Sequence, residues 1–115
     1  MKPMSFARAS LLFCAFGGLG SLGCQYGAAT DACYALVEAI GARLATCGVV
    51  ATPEEGEQLV IDDLASDGLN CDTSPVSLRD EDIFYDQCIP EIAEMDCTSL
   101  ALPVSCADKI YYRSR

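Results

Sequence analysis

Apolar side chains recur at helical spacing along three stretches of the chain, and each stretch predicts a helix. The first runs from about Asp31 to Cys47. Its apolar positions lie on one helical face, at Cys33, Leu36, Val37, Ile40, Leu44 and Cys47. Thr30 or Asp31 is expected to cap its start, because their side-chain oxygens accept backbone N–H groups. Gly48 is expected to end it in a left-handed turn.

The second helix has the clearest start signal. Thr52 precedes Pro53 and is followed three residues later by Glu55, which predicts a capping hydroxyl, a proline at the first helical position and a glutamate that completes the cap. The helix is predicted to run to about Ser66, with Gly68 as its stop. Its inward positions are expected to be Leu59, Val60, Ile61 and Leu64.

The third helix is predicted to begin near Ser77 or Asp80 and to end near Asp96. Pro90 should kink or restart it, because proline lacks the backbone donor and clashes with the preceding turn. The shared face is Phe84, Cys88, Ile92 and Met95. No strand signal is found, so the predicted fold is all-α, a small three-helix bundle stapled by disulfides over residues 31–108, with a C-terminal tail over residues 109–115.

The N-terminal segment predicts export. Lys2 and Arg8 precede a stretch without charge from Ser10 to Gln25, which is the pattern of a secretory signal. Residues 10–25 are 16 residues that include four glycines, whereas a membrane-spanning helix needs roughly 20 predominantly apolar residues.

Two cleavage sites fit this segment. The end of the apolar stretch resembles the lipobox of bacterial lipoproteins, with Gly23 before Cys24 but Ser21 where leucine is usual. This reading implies a signal peptide over residues 1–23, a lipidated Cys24 and a short tether over residues 24–30. Gln25, rather than aspartate, follows Cys24, which by analogy with enteric bacteria favours the outer membrane. The alternative is a cut after Ala29 and release of a periplasmic or secreted protein.

The cysteines agree with export. Beyond Cys14 and Cys24, six of the eight cysteines remain in the mature chain: Cys33, Cys47, Cys71, Cys88, Cys97 and Cys106. An even number in so short a chain predicts disulfides. The absence of histidine and of close C-x2-C pairs disfavours a metal site or a redox motif.

Six cysteines allow fifteen pairings, and their spacing alone does not choose among them. Helices that run up, down and up would bring together Cys33 with Cys71 and Cys47 with Cys97. The segment after Cys97 could fold back along the third helix and bring Cys106 near Cys88. We expect these pairs, with all six sulfurs buried.

The charge limits the partners. The full chain carries 17 acidic and 7 basic residues, for a net charge of −10. After loss of Lys2 and Arg8 the mature chain has five basic residues and a net charge of −12. Nucleic acid and anionic lipid headgroups are therefore excluded as electrostatic partners, and a charged protein partner is expected to be basic.

No catalytic constellation is present. Without histidine, neither a Ser-His nor a Cys-His dyad can form. Asp72-Thr73-Ser74 matches the aspartic-protease tripeptide but lies in a loop-forming segment, which favours a turn. The acidic residues around Asp62 do not follow the calcium-loop spacing. We expect no enzyme activity, no cofactor and no metal.

The C-terminal tail is aromatic and basic, unlike the rest of the chain. Tyr111, Tyr112 and Arg113 are candidate interaction residues, because tyrosine and arginine are enriched at binding hot spots. The alternative, which we favour, is that Ile110 and one tyrosine pack back on the domain.

Taken together, Ala32-Cys33 opening a helix, Cys47-Gly48 closing it, and the spacing from Cys88 to Cys106 resemble a group of small cysteine-rich helical lipoproteins and secreted proteins of Gram-negative bacteria. The resemblance covers about residues 31–108. With the lipobox-like N-terminus and the missing catalytic parts, we expect a non-enzymatic cell-envelope lipoprotein with a structural or interaction role. The alternative is a freely secreted small disulfide-rich inhibitor or effector.

Overall fold

The structure is a computed structural model. It describes residues 21–113, and the side chains from Gly27 onward. The elements in chain order are α1 (Ser21–Thr46), α2 (Pro53–Ser66), β1 (Pro75–Leu78), α3 (Glu81–Ile83), a π-helical turn (Phe84–Cys88), α4 (Ile89–Ile92), a 3₁₀ turn (Val104–Cys106) and β2 (Ile110–Tyr112). The mostly helical, disulfide-bonded domain is confirmed. The all-α prediction holds only roughly, since β1 and β2 form a small sheet.

Helix α1 begins earlier than predicted. It already includes residues 24–30, the predicted tether, so Thr30 and Asp31 lie inside the helix and do not cap it. The alanines here favour helix, and Ala29 and Ala32 are fully buried. Of the predicted signal peptide, residues 1–20 lie outside the described part of the chain.

Both predicted glycine stops are confirmed. Gly48 has φ +79°, and its N–H donates to the Ala45 carbonyl at 3.1 Å, while the Val49 N–H donates to the Leu44 carbonyl at 2.9 Å. These two hydrogen bonds satisfy carbonyl groups in the last turn of α1 that have no partner within the helix. Gly68 ends α2 in the same conformation, with φ +77°.

The predicted N-terminal cap of α2 is also confirmed. The Thr52 hydroxyl accepts the Glu55 N–H at 3.2 Å, and the Glu55 carboxylate accepts the Ala51 N–H at 3.0 Å. The predicted inward face is wrong in part, because Leu59 and Ile61 are 46% and 38% exposed. Helix α2 packs mainly on α1 and buries only a narrow stripe. Leu59 and Ile61, on either side of Val60, therefore face solvent.

The two long helices meet at a pair of glycines. A Cβ atom added to Gly56 would lie 2.7 Å from the Gly41 Cα, and one added to Gly41 would lie 2.6 Å from the backbone nitrogen of Glu57. No side chain separates the helices at this point, so their backbones are in direct contact.

The third helical segment is shorter than predicted and changes its hydrogen bonding. It runs from Glu81 to Ile92, and Ser77 belongs to β1 instead. Its π-helical turn ends just before Pro90, with the Ile89 N–H donating to the Phe84 carbonyl. This is the restart that proline imposes. The predicted inward face is confirmed, since Phe84, Cys88, Ile92 and Met95 are all buried.

Strand β2 forms from the predicted tail. It pairs antiparallel with β1, placing Tyr112 opposite Pro75, Tyr111 opposite Ser77 and Ile110 opposite Leu78. The absence of strands was therefore a wrong prediction. Segments of three and four residues are too short to show an alternating pattern, and they are stabilised by pairing across the chain and by packing on α1.

The three disulfides join the pairs expected from the sequence. The Cα atoms are 5.4 Å apart in Cys33–Cys71, 5.4 Å in Cys47–Cys97 and 4.8 Å in Cys88–Cys106. Cys33, Cys71 and Cys88 are buried, but Cys97 is exposed and Cys47 and Cys106 are half-buried. The expectation that all six are buried was wrong, because the Cys47–Cys97 bridge ties the outer end of α1 to a surface loop.

Candidate functional site

A small apolar depression of about 110 Å³ lies between α1, α2 and the loop that follows α2. It is lined by Tyr34, Ile61, Leu64, Asn70, Cys71 and Asp72. Tyr34 and Ile61 are two of the large hydrophobic side chains that stay partly exposed, at 39% and 38%. Small-molecule sites usually measure roughly 300–1,000 Å³. The depression can therefore hold a single side chain rather than a cofactor.

The Cys33–Cys71 disulfide positions the polar edge of this depression. It ties the loop to α1, so the residues next to the two cysteines, Tyr34 and Asp72, meet. The Tyr34 hydroxyl donates a hydrogen bond to Asp72 Oδ1. This bond, with burial and the Asp72 charge, raises the pKa of Tyr34 to about 12. Tyr34 therefore stays neutral and acts as a hydrogen-bond donor at physiological pH.

The loop around Asp72 is a turn held by its own side chains. Asn70 Oδ1 accepts the Thr73 N–H at 2.7 Å and the Thr73 hydroxyl at 3.1 Å. The Asn70 N–H donates to Ser74 Oγ at 3.0 Å. The tripeptide that matches aspartic proteases is therefore engaged in turn formation.

A pair of glutamates lies one helical turn from the depression. Glu38 follows Tyr34 by four residues on α1, and Glu57 precedes Ile61 by four residues on α2. Both are half-buried. Burial, followed by the charge of Glu57, raises the pKa of Glu38. At the glycine contact the Glu57 side-chain stem lies against Gly41, three residues beyond Glu38, so the charge of Glu57 acts on Glu38.

A second apolar feature is the loop between Cys97 and Cys106. Leu102 is 50% exposed and Val104 88% exposed. The disulfides of Cys97 and Cys106 anchor the loop at both ends. The Ser105 hydroxyl adds a hydrogen bond to the Glu91 carboxylate at 2.8 Å. The loop thus presents apolar side chains on a constrained backbone.

The three candidate residues of the tail separate into two roles. Tyr112 is half-buried against the Cys33–Cys71 cluster, with its hydroxyl 4.0 Å from Cys33 Sγ, and burial raises its pKa. Tyr111 is 63% exposed. Arg113 is exposed, and its backbone N–H donates to the Ser74 carbonyl at 2.7 Å. Ile110 and one tyrosine therefore pack on the domain, as favoured from the sequence.

Cys24, the predicted lipidation site, lies in the first turns of α1, and its side chain is outside the described set. Over residues 21–113 no helix is long and apolar enough to cross a membrane. Among the same residues no group of three or more Cys, Asp or Glu side chains is arranged to hold a metal ion.

Sequence reasoning missed the depression. It placed Ile61 and Leu64 in the core and did not consider Tyr34. A usable signal was present, since Tyr34 and Asp72 each follow a cysteine of one predicted pair.

No family model, curated protein or solved structure matches this chain.

Proposed function

We propose that this protein is an exported, non-enzymatic component of the bacterial cell envelope that is anchored by lipid on Cys24 and binds a protein partner. The observation that carries the proposal is the set of three disulfides, which join segments 38, 50 and 18 residues apart. Such bonds persist in oxidising compartments and are rare in the bacterial cytosol.

The burial at the start of α1 supports the cut before Cys24. Ala29 is fully buried, and Gly27, Ala28 and Thr30 are half-buried. A cut after Ala29 would remove a buried residue and the first nine residues of α1, whereas a cut before Cys24 keeps Ala29 and removes only the first three. The lipid would then be attached directly to a helix, holding the domain against its membrane, with the outer membrane the expected location.

The proposal is tested by expressing the full chain in a Gram-negative host fed a clickable fatty acid. We expect label on the protein, recovery with the outer membrane, and a mature N-terminus at Cys24 by mass spectrometry. A Cys24→Ala variant is the matched control and should lose both label and membrane recovery. Recovery of unlabelled protein in the membrane-free fraction with Thr30 as its first residue would refute the lipid anchor.

A second candidate is a freely secreted inhibitor or effector, which is favoured by the exposed loop between Cys97 and Cys106. A constrained apolar loop loses little conformational entropy on binding. Inhibition of endopeptidases that prefer apolar residues would support this role, provided that Val104→Asp weakens it about tenfold or more. Val49→Asp, at a position 50% exposed, should leave inhibition unchanged. Equal loss in both variants, or no inhibition, would exclude it.

A further inference from the structure

We propose that the depression beside Tyr34 is the docking site for a short segment of the partner protein in which an apolar residue is flanked by lysine or arginine. The apolar side chain fills the depression, and the flanking cations meet Asp72 and the Glu38–Glu57 pair. This inference rests on the proposed interaction function and specifies the partner's chemistry.

The apolar part of the argument comes from the lining. Ile61, Leu64 and the Tyr34 ring surround about 110 Å³ of open space. This is roughly the volume of three or four water molecules, and an aliphatic side chain that displaced them would be favoured by the hydrophobic effect. Helix α2 leaves Ile61 exposed although it is hydrophobic. The depression is therefore an apolar surface that a partner side chain can cover.

The charges around the depression specify what flanks that side chain. Asp72 lines it directly, and its carboxylate keeps acceptor capacity beyond the single hydrogen bond from Tyr34. Glu38 and Glu57 lie one turn away, about 6 Å along their helices. An extended peptide rises about 3.4 Å per residue. A cation two positions from the apolar residue therefore reaches the glutamates.

The chain does not neutralise the glutamate pair with its nearest helical cation. Arg43 is five residues beyond Glu38 on α1, but its guanidinium donates two hydrogen bonds to the Met95 carbonyl, at 2.9 and 2.5 Å. The raised pKa of Glu38 reports burial and the like charge of Glu57. An incoming cation would relieve that repulsion, while an anionic segment would increase it.

The test is an NMR titration of the oxidised ¹⁵N-labelled protein with the capped peptide Lys-Ala-Leu-Ala-Lys at low salt. We expect saturable shifts at Tyr34, Ile61 and Asp72, and weaker binding as salt increases. Two matched peptides isolate the contributions. Lys-Ala-Ser-Ala-Lys removes the apolar anchor, and Glu-Ala-Leu-Ala-Glu reverses the charge. Binding of either one as tightly as the first peptide would overturn the proposal.

Variants of α2 localise the site. Ile61→Ser should weaken binding about tenfold, which is the scale of a few lost methylene groups. Leu59→Ser changes an equally exposed apolar residue outside the depression and should leave binding unchanged. Glu57→Gln should weaken binding about two- to fivefold, the range of a partly screened ion pair. Glu54→Gln changes an exposed glutamate of the same helix and is the matched control, which should leave binding unchanged.

Equal losses in Ile61→Ser and Leu59→Ser, with both variants melting cooperatively, would show that the depression is not the site. The titration does not depend on lipidation or location. A failure here leaves the lipid-anchor proposal standing, and a negative fractionation result leaves the peptide titration interpretable.

Discussion

Replacing Gly56 with alanine is expected to destabilise the domain, although alanine is the better helix former. The added Cβ would lie 2.7 Å from the Gly41 Cα and 2.8 Å from the Gly41 carbonyl carbon. Both are backbone atoms, so no side-chain rotation relieves the contact. Helices α1 and α2 would have to separate by about 1 Å to restore ordinary van der Waals distances.

Two opposing effects set the size of the change. Alanine gains about 1 kcal/mol over glycine in a helix interior. Overpacking of this kind costs about 1–3 kcal/mol, and a 1 Å gap also forfeits up to about half of the dispersion energy of the contacts it opens. Val37, Val60 and Leu64 pack near this interface. We expect a net loss of about 2 kcal/mol, or about 8–16 °C in Tm for a domain of this size.

The assay is thermal and urea unfolding of the oxidised protein, followed by circular dichroism. Gly41→Ala should behave similarly, because its Cβ would meet the backbone nitrogen of Glu57 at 2.6 Å. Gly48→Ala is the control for backbone conformation alone. It has φ +79° and no neighbour within 4 Å, so it should cost only about 1 kcal/mol. A Gly56→Ala protein as stable as wild type would refute direct backbone contact between the helices.

Three further predictions concern the bridges and the titrating groups. Limited reduction followed by alkylation and mass spectrometry should open Cys47–Cys97 first, because Cys97 is exposed and a thiolate can reach it; earlier opening of either other bridge would contradict this. Asp72→Ala should lower the pKa of Tyr34 from about 12 toward 10, because the hydrogen bond and the negative charge that disfavour the phenolate are lost. Rapid alkaline titration of tyrosinate absorbance measures this, and an unchanged profile would rule out the bond. In wild type the stabilisation from this bond is present below about pH 10 and is lost as the pH rises through about 12. Glu38→Gln should raise Tm at pH 7, because burial raises the pKa of Glu38 and makes its charged form unfavourable in the folded state. Folding then favours protonation, so the advantage over wild type should disappear as the pH falls to about 4, and a constant difference in Tm would contradict the burial argument.

Local chemistry accounts for most of what could be predicted in advance. The Thr52 cap and the Gly48 and Gly68 stops depend on residues within one helical turn, so they can be read directly from the chain. The buried face of the third segment, from Phe84 to Met95, follows helical periodicity even though its hydrogen bonding changes before Pro90. The three disulfide pairs were also predicted correctly, Cys33–Cys71 and Cys47–Cys97 from an up-down-up order of the helices and Cys88–Cys106 from a fold-back of the chain after Cys97.

Features set by contacts between distant segments could not be predicted. Helix α1 extends to Ser21 where the sequence predicts a tether, and the fully buried Ala29 lies in that extension. The exposure of Ile61 depends on how narrow a face α2 buries, which no property of α2 alone determines. The depression exists only because the Cys33–Cys71 bridge brings a loop against two helices.

The small sheet is the clearest feature that depends on contacts between distant segments and not on local sequence. Strands β1 and β2 are 4 and 3 residues long and are far apart in the chain. Neither has enough residues to show a period of two, and neither is stable alone. In the folded domain both strands pack on α1, next to the Cys33–Cys71 bridge. The sequence by itself determined the Thr52 cap, the glycine stops of α1 and α2 and the acidic composition, because these depend on neighbouring residues and on composition. Only the tertiary structure decided the sheet, the contact between Gly41 and Gly56, and the depression, because each requires partners that are distant along the chain.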